Sequence, residues 1–202
     1  MNNDIDYLPV EEHKYTLILL HGMNTTTESL FSLVDEILEN NKHIKISLPN
    51  APKRTITWPT GLEYGVNSWY NYFTRNDGLL THDTIDMFHF LEQVKRMNKI
   101  LDTEINILNG KSENIIIGGV SQGGTLALHI GLNYSKKLGG VIGIHTTLMD
   151  NITQISRESH KIPIFLFSGD KDEIYNIKLQ NKSLIALRKL KYKIFWQIER
   201  KL

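Results

Sequence analysis

The sequence predicts a three-layer α/β sandwich around a mostly parallel sheet. Three observations carry that expectation. Near-continuous apolar runs at Tyr15–Leu20, Ile115–Ile117, Leu138–Ile144, Pro163–Ser168 and Tyr192–Ile198 suit strands buried on both faces. Amphipathic helical patterns separate several of them, over 27–40, from Asp83 to about Leu101, and over 174–191. The stretch 114–124, Asn-Ile-Ile-Ile-Gly-Gly-Val-Ser-Gln-Gly-Gly, joins a β-branched strand to a sharp turn, and an apolar helix follows through Leu126, Ala127, Leu128 and Ile130.

Composition narrows the class. At 202 residues the chain is long enough for one well-buried domain. Hydrophobic content of 41% and charged content of 22% are ordinary for a globular protein. A formal net charge of +1 gives no sign of a nucleic-acid or anionic-membrane partner. The chain has no cysteine, which excludes a disulfide, a thiol nucleophile and a cysteine zinc site. Residues 1–15 are polar and acidic with no apolar signal core, and no apolar run approaches the ~18 residues of a membrane span. A cytosolic enzyme is the expectation, with oligomeric state left open.

Taken in order, residues 1–14 read as a loose lead-in and Tyr15–Leu20 as the first buried strand. It runs into His21-Gly22-Met23-Asn24, a turn that enters the helix of 27–40. His21 is expected to be structural, orienting this loop by hydrogen bonds. Lys42–Leu48 is the next strand, stopped by Pro49-Asn50-Ala51-Pro52. Residues 49–82 form the longest irregular stretch, and Trp58, Trp69, Tyr70, Tyr72 and Phe73 could line an apolar groove or anchor the loop. Thr81-His82-Asp83-Thr84 is expected to cap the long helix that follows, with His82 and His89 as cap and surface residues. His145 follows the strand Leu138–Ile144, and Gly169-Asp170-Lys171-Asp172 follows Pro163–Ser168. In open parallel sheets, sites form at these carboxyl ends of strands.

The chemistry is concentrated at Gly119-Val120-Ser121-Gln122-Gly123, which fits G-x-S-x-G between a strand and a helix. The turn strains the serine backbone and lifts its oxygen clear of the sheet, beside the unpaired N–H groups of a helix N-terminus. In serine hydrolases of this layout the oxyanion is held by the N–H after the nucleophile and by one from the first strand-to-helix loop, here Gln122 and Met23. Chain order Ser, acid, His places the acid past Pro163–Ser168: Asp170 by preference, Asp172 as the second choice.

On these residues the chain resembles the acyl-protein thioesterase, lysophospholipase and carboxylesterase family of α/β-hydrolases. Leu20-His21-Gly22-Met23 is similar to the family's Leu-His-Gly-Leu loop, and Leu48-Pro49-Asn50-Ala51-Pro52 to its Pro-x-Ala-Pro segment. Ser68-Trp69-Tyr70 resembles its Trp-Phe/Tyr-Asp segment, with Asn71 where the family prefers Asp. Gly119 to Gly124 resembles Gly-Phe-Ser-Gln-Gly-Gly, and Ser168-Gly169-Asp170-Lys171-Asp172 its His-Gly-x-x-Asp region. The resemblance implies one α/β-hydrolase domain over 1–202 that cleaves fatty acyl thioesters or carboxylic esters, on lipidated proteins or small molecules, through an acyl-enzyme on Ser121. It implies no metal or organic cofactor; among the loop aromatics, Trp69 and Tyr70 are the expected substrate-binding residues.

One departure bears on mechanism. All eight histidines (13, 21, 43, 82, 89, 129, 145 and 160) precede Asp170, whereas the family's catalytic histidine follows the last strand. The family's final helix has no counterpart in the sequence either. Three explanations stand: a longer natural chain, a hydrolase-like acyl-binding protein of impaired activity, or a relocated histidine, for which His145 is the best-placed stand-in.

Overall fold

The computed structural model describes residues 4–57, 61–74, 76, 83–149, 151–155 and 161–200. Trp58, His82 and His160 lie outside them. Seven strands form the main sheet: β1 (Ile5–Tyr7), β2 (Tyr15–Leu20), β3 (Ile44–Leu48), β6 (Ile115–Val120), β7 (Gly140–Ile144), β8 (Ile164–Gly169) and β9 (Ile194–Glu199). Their order is β1-β3-β2-β6-β7-β8-β9; β1 is antiparallel and all other pairs are parallel. A small antiparallel hairpin, β4 (Lys53–Ile56) with β5 (Glu63–Asn67), lies inside the stretch expected to be irregular.

Four helices complete the layers: α1 (Phe31–Asn40), α2 (Met87–Ile107), α3 (Gln122–Asn133) and α4 (Ile177–Lys189). Alternation along the strands divides the interior in two. Ile18, Leu20, Ile115 and Ile117 join Phe90, Met97, Leu126, Ile130, Leu184 and Leu187, so α2, α3 and α4 share one face. Leu17, Leu19, Ile46 and Leu48 pack with Leu30 and Val34, so α1 and the turn before it cover the other. Among the described residues no helix covers that second face over β8 and β9. Phe165 and Phe195 stack at 4.8 Å with rings 7° apart, and Phe167 and Phe195 are exposed. Among the described residues no helix is long and apolar enough to cross a membrane.

Two sequence expectations are corrected here. The lead-in is not loose at Ile5–Tyr7, which pairs with Ile46–Leu48. Charges fix it: Lys45 Nζ lies 2.6 Å from Glu104 Oε1 and 2.9 Å from Asp6 Oδ2, and Asp4 takes Arg96 at 2.6 Å. Removing one member of a buried pair such as Lys45–Glu104 costs about 3–5 kcal/mol. The long helix starts after Asp86 and not at Asp83 or Thr84, because Asp86 Oδ1 accepts the amides of Phe88 and His89 and so satisfies the first orphan donors; Thr81 and His82 lie outside the described residues.

Candidate active site

Ser121 sits between β6 and α3 with φ 52 and ψ −120, a left-handed region that costs a non-glycine residue about 1–3 kcal/mol. The surroundings hold it there. Its amide donates to Ile144 O at 2.9 Å, and its carbonyl accepts Thr146 Oγ1 at 2.8 Å and Thr125 N at 3.0 Å. Its side chain makes no cap bond to its own helix. The bend is tight enough to demand glycine on either side. A Cβ on Gly119 would lie 2.5 Å from Gly123 C, and one on Gly123 would lie 2.4 Å from His21 O.

That second approach brings the His21–Met23 loop against the start of α3. A Cβ on Gly22 would stand 3.6 Å from Ser121 Cβ. His21 is fully buried. Both ring nitrogens are engaged: Nδ1 lies 2.7 Å from Gly22 O, and Nε2 lies 2.8 Å from Asn50 Oδ1 and 2.9 Å from the Ala51 amide nitrogen. Burial pushes its pKa down, with only partial opposition from the hydrogen bond to Gly22, so the ring is neutral and orients the loop. Asn24 N completes the loop by donating to Asn67 O at 2.8 Å.

Gln122 opens α3, where its main-chain N–H has no partner within the helix. Its buried side chain is pinned. Oε1 accepts Trp69 N at 2.9 Å, and Nε2 donates to Tyr70 O at 2.8 Å and Ser68 Oγ at 3.1 Å. Trp69 Nε1 in turn donates to His21 O at 2.8 Å. The segment 68–70 therefore clamps both the loop and the helix start.

This clamp corrects one expectation. Trp69 and Tyr70 have no exposed surface and do not line the cavity beside Ser121, because an indole and a phenol that complete the core cannot also face substrate. The described residues around that cavity of about 90 Å³ are Met23, Tyr72, Asp83, Ser121, Gln122, Ile174 and Tyr175. Met23, Ser121 and Gln122 were legible as a group. Ile174 and Tyr175 were not, since the periodicity over 174–191 assigns them to a helix that starts only at Ile177. The available signal was Asp172, whose Oδ1 accepts Ile174 N at 2.9 Å and Tyr175 N at 2.8 Å in a turn.

A second cavity, about 190 Å³, lies at the ends of β7 and β8 and is lined by His145, Gly169, Asp170, Lys171, Asp172 and Glu199. His145 has φ 46 and donates its amide to Phe167 O at 2.7 Å. Its Nδ1 lies 3.6 Å from Asp172 Oδ2, close enough for charge interaction but too long for a hydrogen bond. Asp172 is sheltered, with a side chain 11% exposed. Asp170, the preferred acid, faces solvent, and its amide donates to Glu199 O at 3.1 Å. It is thus Asp172, not Asp170, that approaches a histidine. Among the described residues no hydrogen bond joins His145 to Ser121, and the two line neighbouring cavities.

Known proteins resemble this chain in sequence and in fold. A family profile described as phospholipase/carboxylesterase matches residues 7–196. Acyl-protein thioesterase 1 of Schizosaccharomyces pombe is 30% identical over 185 residues, covering 90% of this chain and 79% of that protein. Acyl-protein thioesterase 1 homolog 2 of Dictyostelium discoideum is 29% identical over 197 residues, covering 93% and 84%. Among solved structures, Zea mays acyl-protein thioesterase 2 superposes with a TM-score of 0.79 at 18% identity, covering 100% of this chain and 91% of its own; that likeness concerns the fold. Bacillus cereus carboxylesterase does so at 0.75 and 17%, covering 98% and 84%. With the elbow serine, its two flanking loops and a profile match over nearly its whole length, the chain belongs to the phospholipase/carboxylesterase family of α/β-hydrolases.

Proposed function

We propose that the protein hydrolyses acyl thioesters or carboxylic esters through an acyl-enzyme on Ser121. The observation that carries the reading is a strained serine at a strand-to-helix bend, opening on a cavity that Met23 and Gln122 also line. Ser121 Oγ attacks the acyl carbonyl carbon, and the carbonyl oxygen becomes an oxyanion facing the main-chain N–H groups of Met23 and Gln122. Collapse expels the alcohol or thiol, which takes up the proton that Ser121 released. Water then attacks the ester on Ser121 and frees the acid. An oxyanion donor is worth about 10²–10³ in rate in such sites.

The acid we assign is Asp172, supported by its sheltered carboxylate and its 3.6 Å approach to His145. His145 is the stand-in base among the described histidines, since it follows β7 at the carboxyl end of the sheet. Lipidated proteins are the larger substrates of the proposal, on the likeness to relatives named acyl-protein thioesterases. A cytoplasmic location belongs to the same proposal and is tested by fractionation of cells expressing the tagged full chain.

A second reading is an acyl-binding protein without efficient turnover, favoured by the separation of His145 and Ser121 into neighbouring cavities. A fluorophosphonate probe separates the two. Rapid labelling that disappears in Ser121→Ala supports the hydrolase. A folded protein that stays unlabelled supports binding alone.

A further inference from the structure

We propose that two copies of this chain pair through the outer edge of β9, antiparallel and centred on Trp196, so that their sheets run on as one. β9 ends the sheet, and no strand among the described residues pairs with its outer side.

The backbone decides which residues can take part. The Ile164 amide donates to Lys193 O at 2.9 Å, and the Asp170 amide to Glu199 O at 3.1 Å. Odd-numbered residues of β9 therefore turn their main-chain groups toward β8. Alternation turns the N–H and C=O groups of Ile194, Trp196 and Ile198 outward. Such a row of open groups is a template for another strand. A partner related by a twofold axis must bring outward groups onto outward groups, so the register moves only in steps of two residues.

Side chains choose among those steps. Centred on Trp196, the pairing sets Ile194 opposite Ile198, Phe195 opposite Gln197, and Lys193 opposite Glu199. The axis repeats each contact, so a Lys–Glu pair forms at both ends. Both fall at non-hydrogen-bonded positions, where opposed side chains approach most closely. One step toward the start of the strand sets Glu199 against Lys191, a turn residue with φ 62 outside β9. One step the other way sets it against Phe195. Charges on an edge ordinarily keep copies apart. Here they are self-complementary, and within the strand only the Trp196 register matches them.

The charges are also on the correct face and free to meet a partner. Phe195 stacks on Phe165 with centroids 4.8 Å apart, and Lys193 Nζ lies 4.8 Å from the centre of the same Phe195 ring. Lys193, Phe195, Gln197 and Glu199 are all exposed. Glu199 lines the cavity that holds His145 and Asp172, so this pairing brings the partner subunit's Lys193 to the rim of that cavity.

The test is sedimentation velocity of the full chain across a concentration series, a readout independent of ester cleavage. A reversible dimer is expected. Lys193→Glu sets like charges together at both ends and should weaken dimerisation by at least about tenfold, as should Glu199→Lys. The double exchange Lys193→Glu with Glu199→Lys should return the dissociation constant to within about threefold of the unaltered protein. Circular dichroism melts check that each variant is folded; both positions are exposed, so folding should survive. A monomer at every concentration overturns the proposal. A dimer indifferent to either charge reversal, or one that the double exchange does not restore, pairs through another surface and overturns it too.

Discussion

His145 Nδ1 stands 3.6 Å from Asp172 Oδ2 at the carboxyl ends of two adjacent parallel strands, while Asp170, two residues earlier, faces solvent. Both acids occupy the turn after β8. Only the one whose second oxygen is tied down by the amides of Ile174 and Tyr175 is oriented toward a base.

Asp172→Asn is therefore expected to lower kcat/KM on p-nitrophenyl acetate by about 10²–10⁴, the range for loss of an orienting carboxylate. Asp170→Asn should change it less than about threefold. The asparagine at 172 keeps an acceptor for the turn, so the denaturation midpoint should survive while the rate falls. Equal effects at 170 and 172 would remove the basis for choosing between them.

Gln122 tests the clamp. Truncation to alanine strands the buried Trp69 amide and Tyr70 carbonyl, at about 1–3 kcal/mol for each group left unpaired. Gln122→Ala should lower both the denaturation midpoint and kcat, because losing the side-chain clamp frees the helix start that carries the main-chain N–H of residue 122, the proposed oxyanion donor. Gln122→Glu keeps the acceptor for Trp69 and should recover part of the loss. Urea melts and steady-state kinetics read the two effects separately.

Gly123→Ala is expected to be worse than its single methyl suggests. Its Cβ would lie 2.4 Å from His21 O and 2.6 Å from Leu20 O, so backbone must move. Overpacking of this kind costs about 1–3 kcal/mol, which corresponds to roughly 3–10 °C in Tm for a chain of this size. The movement also separates Met23 from Ser121, so esterase activity should fall further than stability.

Acid should destabilise the fold through His129. The ring packs edge-on to Phe90 at 4.8 Å, and its Nδ1 lies 3.1 Å from Thr153 Oγ1; burial lowers its pKa from 6.5 to about 4. Between those values the unfolded chain binds the proton and the folded chain does not. Stability is therefore full above about pH 6.5 and declines as pH falls toward 4, by up to about 3 kcal/mol from this residue. Urea melts at pH 7.5 and 4.5 should show a smaller loss for His129→Asn than for the unaltered protein. An equal loss in both would place the acid sensitivity elsewhere.

The open face over β8 and β9 carries its own expectation. Phe195 on β9, the outer strand of the described sheet, stacks on Phe165 beside exposed Phe167 of β8, and together they form apolar surface that favours self-association. Light scattering across a concentration series should show mass rising with concentration. Phe195→Ser should reduce the slope, and a concentration-independent monomer mass would count against the idea.

The sequence by itself determined the layered α/β architecture and the elbow. Both are written in local spacing: apolar runs long enough only for buried strands, and glycines flanking Ser121 where a Cβ has no room. Tertiary structure decided what distance along the chain conceals. It put Trp69 and Tyr70 inside the core, since an aromatic residue in a loop packs wherever apolar neighbours meet it, and periodicity does not reveal those neighbours. It turned Ile5–Tyr7 into a strand through Lys45 and Arg96, partners 39 or more residues away from Asp6 and Asp4. It also brought Tyr72 and Tyr175 together, 103 residues apart, beside Ser121. Strand-to-helix chemistry is local and can be read from neighbours; the shape of a pocket is a property of non-local packing and appears only once the chain has closed on itself.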